Sequence, residues 1–218
     1  MNEGLYRTKP AAQRLIEPLV DACVAHGVSA DALTVAAVPV AALGGICLAL
    51  SDGLPVLLLG VPLLAGARLV LNLIDGQVAR RTGTARPWGE VLNELGDRVA
   101  DALFIGGLAF VAAVGPLLAL SAVIAALLAS YAGVVARATG APRSYGGVMS
   151  KPGRMIVLAV AAPLAFVVGA GWPLVAGAWI ILLGSLVTLA QRLRSTWRWH
   201  ARQPYDEAGT HDGDGGRP

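Results

Sequence analysis

The sequence predicts an all-α integral membrane protein, six transmembrane helices preceded by an interfacial amphipathic helix. Three observations carry this. Hydrophobic residues make up 56% of the chain and charged residues 14%, where an average soluble domain has about 25% charged. Mean hydropathy is +0.64. The apolar residues also fall into long runs without alternation, which suits helices crossing about 30 Å of hydrocarbon and not the strands of a barrel. The same figures exclude a disordered chain. A net charge of +3 with 6% aromatic residues leaves no nucleic-acid footprint. Cys23 and Cys47 are too few for a disulfide framework or a thiolate zinc site. At 218 residues the chain is one domain with a tail.

The elements follow in order. Met1–Gln13 is polar and carries no apolar core with a cleavage site, so it is not read as a signal peptide. Pro10–His26 reads as an amphipathic helix on the membrane surface. Leu15, Ile16, Leu19, Val20 and Cys23 share one face; Gln13, Arg14, Glu17 and Asp21 share the other. Pro18 bends it, and Gly27 ends it, leaving His26 as a last-turn residue. Ser29 or Asp31 then caps the first span. The spans are expected at Ala32–Leu50, Leu54–Ile74, Val91–Val114, Pro116–Ala136, Met155–Ala170 and Pro173–Ala190. Residues 1–31 thus form a cytoplasmic interfacial helix and 32–190 the membrane domain. Residues 191–218 are a basic and then disordered tail, because Arg202–Pro218 is rich in Gly, Asp and Pro. His211 there is solvated polymer.

Basic residues set the orientation. Arg7, Lys9 and Arg14 precede the first span, and Arg80, Arg81 and Arg86 separate the second from the third. Arg137, Arg143, Lys151 and Arg154 separate the fourth from the fifth; Arg192, Arg194, Arg198, Arg202 and Arg217 follow the sixth. That places 15 of the 17 Lys and Arg residues on one side. The opposite turns, Ser51–Gly53, Gly115 and Gly171–Trp172, hold none. Both termini and the basic loops are therefore expected on the cytoplasmic side of the cell membrane. Arg68, Asp97, Arg98 and Asp101 fall inside spans, where charge is costly and usually functional.

Polar groups concentrate at the end of the second span and the start of the third. Asn72 and Asp75 are i, i+3 on one helical face; Asn93, Asp97 and Asp101 are i, i+4, i+8 on another, with Glu94 flanking it. Antiparallel helices joined by a short loop bring these oxygen-rich faces together. Oxygen ligands without His or Cys suit Mg²⁺ or Mn²⁺, and such metals suit a diphosphate substrate. Gly76, Ala79 and Gly89 are small enough for a bulky ligand to approach the backbone, and Arg80 and Arg81 can pair with phosphate. Interhelical ion pairs of Asp97 or Asp101 with Arg68 or Arg98 would account for the same charges, and spacing alone leaves both readings open.

This pattern resembles the CDP-alcohol phosphotransferase motif, D-x2-D-G-x2-A-R-x8-G-x3-D-x3-D. The chain reads Asn72-x2-Asp75-Gly76-x2-Ala79-Arg80-x8-Gly89-x3-Asn93-x3-Asp97, with all spacings kept and six of eight fixed residues matched. The Val28–Thr34 entry to the first span and the Gly147–Lys151 segment before the fifth extend the likeness over roughly residues 10–195. The resemblance implies transfer of a phosphatidyl group from a CDP-diacylglycerol-like donor to an alcohol or alcohol-phosphate acceptor, with CMP released. It implies that Asp75 ligates metal, that Gly76, Ala79, Arg80 and Gly89 line the CDP site, and that Asp97 is the general base. Lys151 and Arg154, with Arg137 and Arg143, are placed for an anionic acceptor. A homodimer is implied too, and Ala102, Gly106 and Gly107 offer a small-residue packing face.

Two departures stand out. The first and third motif aspartates are Asn72 and Asn93, so two negative charges leave a site meant for two divalent cations. Either Glu94 and Asp101 rebuild it with Asp75 and Asp97, with Asp101 then a candidate base, or the activity is lost. The expectation is the rebuilt set, with Asn72, Asp75, Asn93, Glu94, Asp97 and Asp101 as ligands. The rivals are an inactive relative acting as a membrane partner and a small transporter, against which the one-sided polar cluster argues.

Overall fold

Seven α-helices follow one another among the described residues, 9–142 and 146–203 of the computed structural model. They are α1 (Lys9–Ala25), α2 (Ala30–Ala49), α3 (Gly60–Arg81), α4 (Pro87–Gly106), α5 (Gly115–Ala138), α6 (Lys151–Val168) and α7 (Trp172–His200). Arg7, Arg143, the tail after residue 203 with His211 and Arg217, and the side chains of Lys9, Gln13, Arg14 and Leu15 lie outside the described residues. The fold is all-α and multi-pass. Five stretches are long and apolar enough to cross a membrane: Ala30–Ala49, Pro55–Arg81, Gly115–Ala138, Lys151–Val168 and Trp172–His200. The exception is α4, which carries Glu90, Glu94, Asp97, Arg98 and Asp101.

Local chemistry sets the helix ends. Gly27 takes φ +67 after α1, and Val28 N–H donates to the Cys23 carbonyl at 2.9 Å, closing the α1 C-terminus. Ser29, not Asp31, caps α2: its hydroxyl accepts from the Ala32 N–H at 3.2 Å. Ser150 caps α6 through the Gly153 N–H at 3.4 Å. The second span begins as a 3₁₀ turn at Pro55–Leu59 before α3 takes over. The third expected span, to Val114, is not one helix. α4 stops at Gly106 and tightens into a 3₁₀ turn at Gly107–Phe110, because backbone meets backbone there. A Cβ on Gly107 would sit 2.2 Å from the Gly45 carbonyl oxygen, and one on Gly45 2.2 Å from that of Leu103. Gly107 is therefore consumed by packing inside the chain, against α2, whereas a Cβ on Gly106 would meet open space. α7 runs past Ala190 to His200, since no Pro or Gly occurs between those two residues.

The main core joins α2 through α7, with Phe104, Ile105, Leu108, Leu158 and Ile181 fully buried. α5 presents Ala119, Ala122, Ala126 and Ala129 from its buried face, and small residues of this kind let helices approach closely. A second cluster seats α1: Ile16 and Val20 bury against Leu33, Ile74 and Val78. Arg81 at the end of α3 holds Glu17 at 3.0 Å and also pairs with Asp21. The polar ends of α2 and α3 are thereby held beside α1, and the site lies next to them.

Candidate active site

A cleft of about 470 Å³ opens between the start of α2, the end of α3 and the start of α4. Asp75, Gly76, Ala79, Arg80, Gly89 and Asn93 all line it. Residues up to 18 positions apart meet because α3 and α4, joined by the turn at 82–86, both pack against α2. Gly76 and Gly89 keep the walls low. A Cβ at Gly76 would meet only the Arg80 guanidinium, at 3.3 Å, and one at Gly89 nothing nearer than 3.9 Å. Arg80 makes no hydrogen bond or ion pair among the described residues, so its guanidinium is available to an anion in the cleft. Arg86 pairs with Asp31, and Arg137 with Glu90 at 2.7 Å, on either side of the mouth.

Asp75 is buried. One carboxylate oxygen accepts from the Thr34 hydroxyl at 2.8 Å and the other from the Gly76 N–H at 2.5 Å. Thr34 was not singled out by sequence reasoning, although it lies in the Val28–Thr34 stretch and one helical turn beyond Ala30, whose carbonyl it also meets. The Asn72 amide donates to the Arg68 carbonyl at 2.8 Å. Its side-chain oxygen, and that of Asn93, are buried without any hydrogen-bond partner. Such orphaned acceptors are rare and call for a donor or a cation.

Asp97 forms an ion pair with Lys151, and both side chains are mostly buried, at 14% and 21% exposure. Both groups lie close enough to Asp75 to act on its charge. Lys151 is positioned from α7. Thr188, fully buried, accepts from the Met149 N–H at 2.8 Å; Gln191 accepts from the Val148 N–H at 3.3 Å; Arg192 donates to the Gly146 carbonyl at 3.1 Å. A Cβ on Gly147, which takes φ +140, would lie 2.3 Å from Thr188 Cγ2. This strap on the segment before α6 was legible only as the Gly147–Lys151 likeness.

Three expectations fail. Asp101 does not face the cleft. It accepts from Arg68 and from Arg154, each at 2.7 Å, with all three side chains at most 2% exposed. One helical turn beyond Asp97, it has passed the polar end of the bundle and meets guanidiniums from α3 and α6. Arg154, expected at an acceptor, is therefore locked in the interior, where it also reaches Ser130 at 3.4 Å. Glu94 pairs with Arg98 at 2.5 Å and lines a separate, apolar groove between α4 and α5 with Leu95, Leu127 and Tyr131. It follows Asn93 directly, a step of about 100° round the helix, and so turns away from the cleft that Asn93 lines. The rebuilt four-carboxylate cage is accordingly not formed, and among the described residues no three His, Cys, Asp or Glu side chains gather around a common point.

The oxygens at and beside the cleft are those of Asp75 and Asn93 in its lining, Asn72 one turn before Asp75 on α3 and Asp97 one turn after Asn93 on α4, the two amide oxygens being orphaned. This all-oxygen set fits a hard divalent cation.

No protein-family model matches the chain. It is 30% identical over 153 residues to the inner membrane protein YnbA of Escherichia coli, covering 70% of this chain and 76% of that protein. It is 33% identical over 132 residues to the phosphatidylinositol phosphate synthase of Mycobacteroides abscessus, covering 58% of this chain and 60% of that enzyme. The crystal structure of Mycobacterium tuberculosis phosphatidylinositol phosphate synthase with CDP-DAG bound superposes with a TM-score of 0.71 at 24% identity, over 84% of this chain and 94% of that one. The same enzyme in complex with manganese and citrate gives 0.70 at 24% identity, over 83% and 88%. Identity at this level speaks for the fold.

Proposed function

Because this chain belongs to the CDP-alcohol phosphotransferase family, we propose that it transfers a phosphatidyl group from a CDP-diacylglycerol-like donor to an alcohol acceptor, releasing CMP. The observation that carries this reading is the convergence of Asp75, Gly76, Ala79, Arg80, Gly89 and Asn93 on one cleft at the family's spacing. The synthase names of the relatives support the same chemistry.

In this reading the diphosphate lies against the low walls at Gly76 and Gly89, and Arg80 pairs with its oxygens. Asp75, with the Asn72 and Asn93 side-chain oxygens, holds a divalent ion, Mg²⁺ or Mn²⁺; the manganese in the Mycobacterium tuberculosis enzyme supports that choice. When bound, the ion neutralises the diphosphate and the leaving CMP. Asp97 is the general base, oriented by Lys151. The acceptor oxygen attacks the β-phosphorus, the bond to the CMP oxygen breaks, and the acceptor proton passes to Asp97. Arg137 at the mouth and Lys151 favour an anionic acceptor, an alcohol phosphate. Asp101 and Arg154 act as positioning residues beneath.

α4 is the sixth span. Its charges are matched internally, Glu94 with Arg98, Asp97 with Lys151, Asp101 with Arg68 and Arg154, which is how a membrane helix tolerates them. Counting it as a crossing puts the basic segments at 82–86 and 137–154 on one face with both termini, on the cytoplasmic side. α1 lies on that surface, with Leu19 exposed beside its packed Ile16 and Val20. The family resemblance supports a homodimer.

Purified protein in detergent, given CDP-diacylglycerol and a panel of alcohols and alcohol phosphates, tests the reading. CMP release that needs both a divalent ion and one acceptor is expected. Binding of the donor without release would favour an inactive relative, the reading that Asn72 and Asn93 suggest.

A further inference from the structure

The polar site is electrically lopsided. Around Asp75 the oxygens meet only a hydroxyl and a backbone N–H, and the Asn72 and Asn93 oxygens meet nothing. Around Asp97, cations are already in place. Lys151 sits on the Asp97 carboxylate, and Arg68 donates to the Asp97 carbonyl at 3.3 Å. Arg68 and Arg154 share the single carboxylate of Asp101 beneath it, which leaves that buried triad with an excess positive charge.

Lys151 is not a surface lysine that happens to reach a carboxylate. The Ser150 cap, the Thr188 and Gln191 acceptors and Arg192 fix the backbone that carries it, and its side chain is only 21% exposed. Asp75 and Asp97 supply two negative charges and Lys151 cancels one. One dication on the remainder leaves a modest positive charge for an incoming diphosphate. A second dication would meet an ammonium already on Asp97, while the other carboxylates of the cleft, Asp31 and Glu90, are held by Arg86 and Arg137.

We infer that the site takes one divalent cation, seated at Asp75 with the Asn72 and Asn93 oxygens, and that the Lys151 ammonium on Asp97 stands in for a second. The inference rests on the metal-dependent reading above. It explains together the two Asp-to-Asn departures and the built-in lysine: the carboxylates that a second ion would need are the ones this chain lacks.

Counting bound Mn²⁺ on the full-length protein in detergent, by loss of the free-ion paramagnetic resonance signal, tests it without turnover. Wild type is expected to bind one Mn²⁺ per chain. Asp75→Asn should weaken that binding at least about hundredfold, and Asp97→Asn less than about tenfold, since only the former removes a direct ligand charge. Lys151→Met combined with Asn93→Asp should raise the count to two. Two ions on wild type would overturn the inference while leaving the metal-dependent reading intact. No ion on wild type would overturn that reading, and this inference with it. One ion lost by Asp97→Asn and kept by Asp75→Asn would overturn the placement. These wild-type and single-variant counts decide the matter even if the double variant fails to fold.

Discussion

Asp101→Ala removes the carboxylate that Arg68 and Arg154 share. Both guanidiniums are buried, at 0% and 2% exposure, and each gives Asp101 a bond of 2.7 Å. Removing one partner of a buried ion pair costs about 3–5 kcal/mol, because the remaining charge is stranded. Here two charges are stranded, although Arg68 keeps the Asp97 carbonyl and Arg154 keeps Ser130. With about 2–4 °C per kcal/mol for a chain of this size, the melting temperature should fall by roughly 6–20 °C. The assay is thermal unfolding of the detergent-solubilised protein, followed by intrinsic fluorescence. Replacing the triad together, Arg68→Met with Asp101→Leu and Arg154→Met, should recover part of the loss, as an apolar set of similar volume often does. A melting temperature unchanged in Asp101→Ala, with Mn²⁺ affinity lost instead, would refute the assignment and restore Asp101 to the metal site.

Other consequences are as direct. Gly107→Ala drives a methyl into the Gly45 carbonyl, so α2 and the 3₁₀ turn must separate; a loss of about 1–3 kcal/mol in thermal unfolding is expected, and none if the contact is soft. Arg80→Ala should raise KM for the CDP-linked donor about tenfold with a smaller change in kcat, measured by CMP release, since it removes ground-state as well as transition-state pairing. Thr188→Val cuts the bond that holds Met149 and should lower kcat several-fold while donor KM stays, as the Asp97–Lys151 pair loses its register. Cysteine placed at Asp52, in a background without Cys23 and Cys47, should react with an impermeant reagent outside intact cells, and one at Thr84 should not; the reverse would invert the topology.

Much of this was legible in the residues. The motif spacing pointed to Asp75, Gly76, Ala79, Arg80, Gly89 and Asn93 as one group, and the cleft gathers all six. Periodicity could not settle Asp101. Its i+4 step from Asp97 keeps it on the same face but one turn deeper, and its partners lie 33 and 53 residues away on other helices. A carboxylate facing a metal and one facing arginines look the same along the chain; the ion-pair alternative, open at that stage, is the one the fold adopts for Asp101, through Arg154 as well as Arg68. Glu94 fails for a different reason, a rotation that turns it into the α4–α5 groove. The early end of α4 was hidden because the Gly45–Gly107 approach is a contact between distant glycines, which carry no pattern of their own.

In the proposed function, Asp75 anchors a metal-dependent transfer from a CDP-linked lipid. The rate of CMP release from CDP-diacylglycerol at saturating Mn²⁺, compared between wild type and Asp75→Asn, tests it most directly. Acceptor-dependent release by wild type is expected, with at least about a thousandfold loss in Asp75→Asn, roughly 4 kcal/mol of barrier, in protein that still unfolds cooperatively. Turnover by Asp75→Asn within a few-fold of wild type, or no release by wild type with any acceptor, would contradict it.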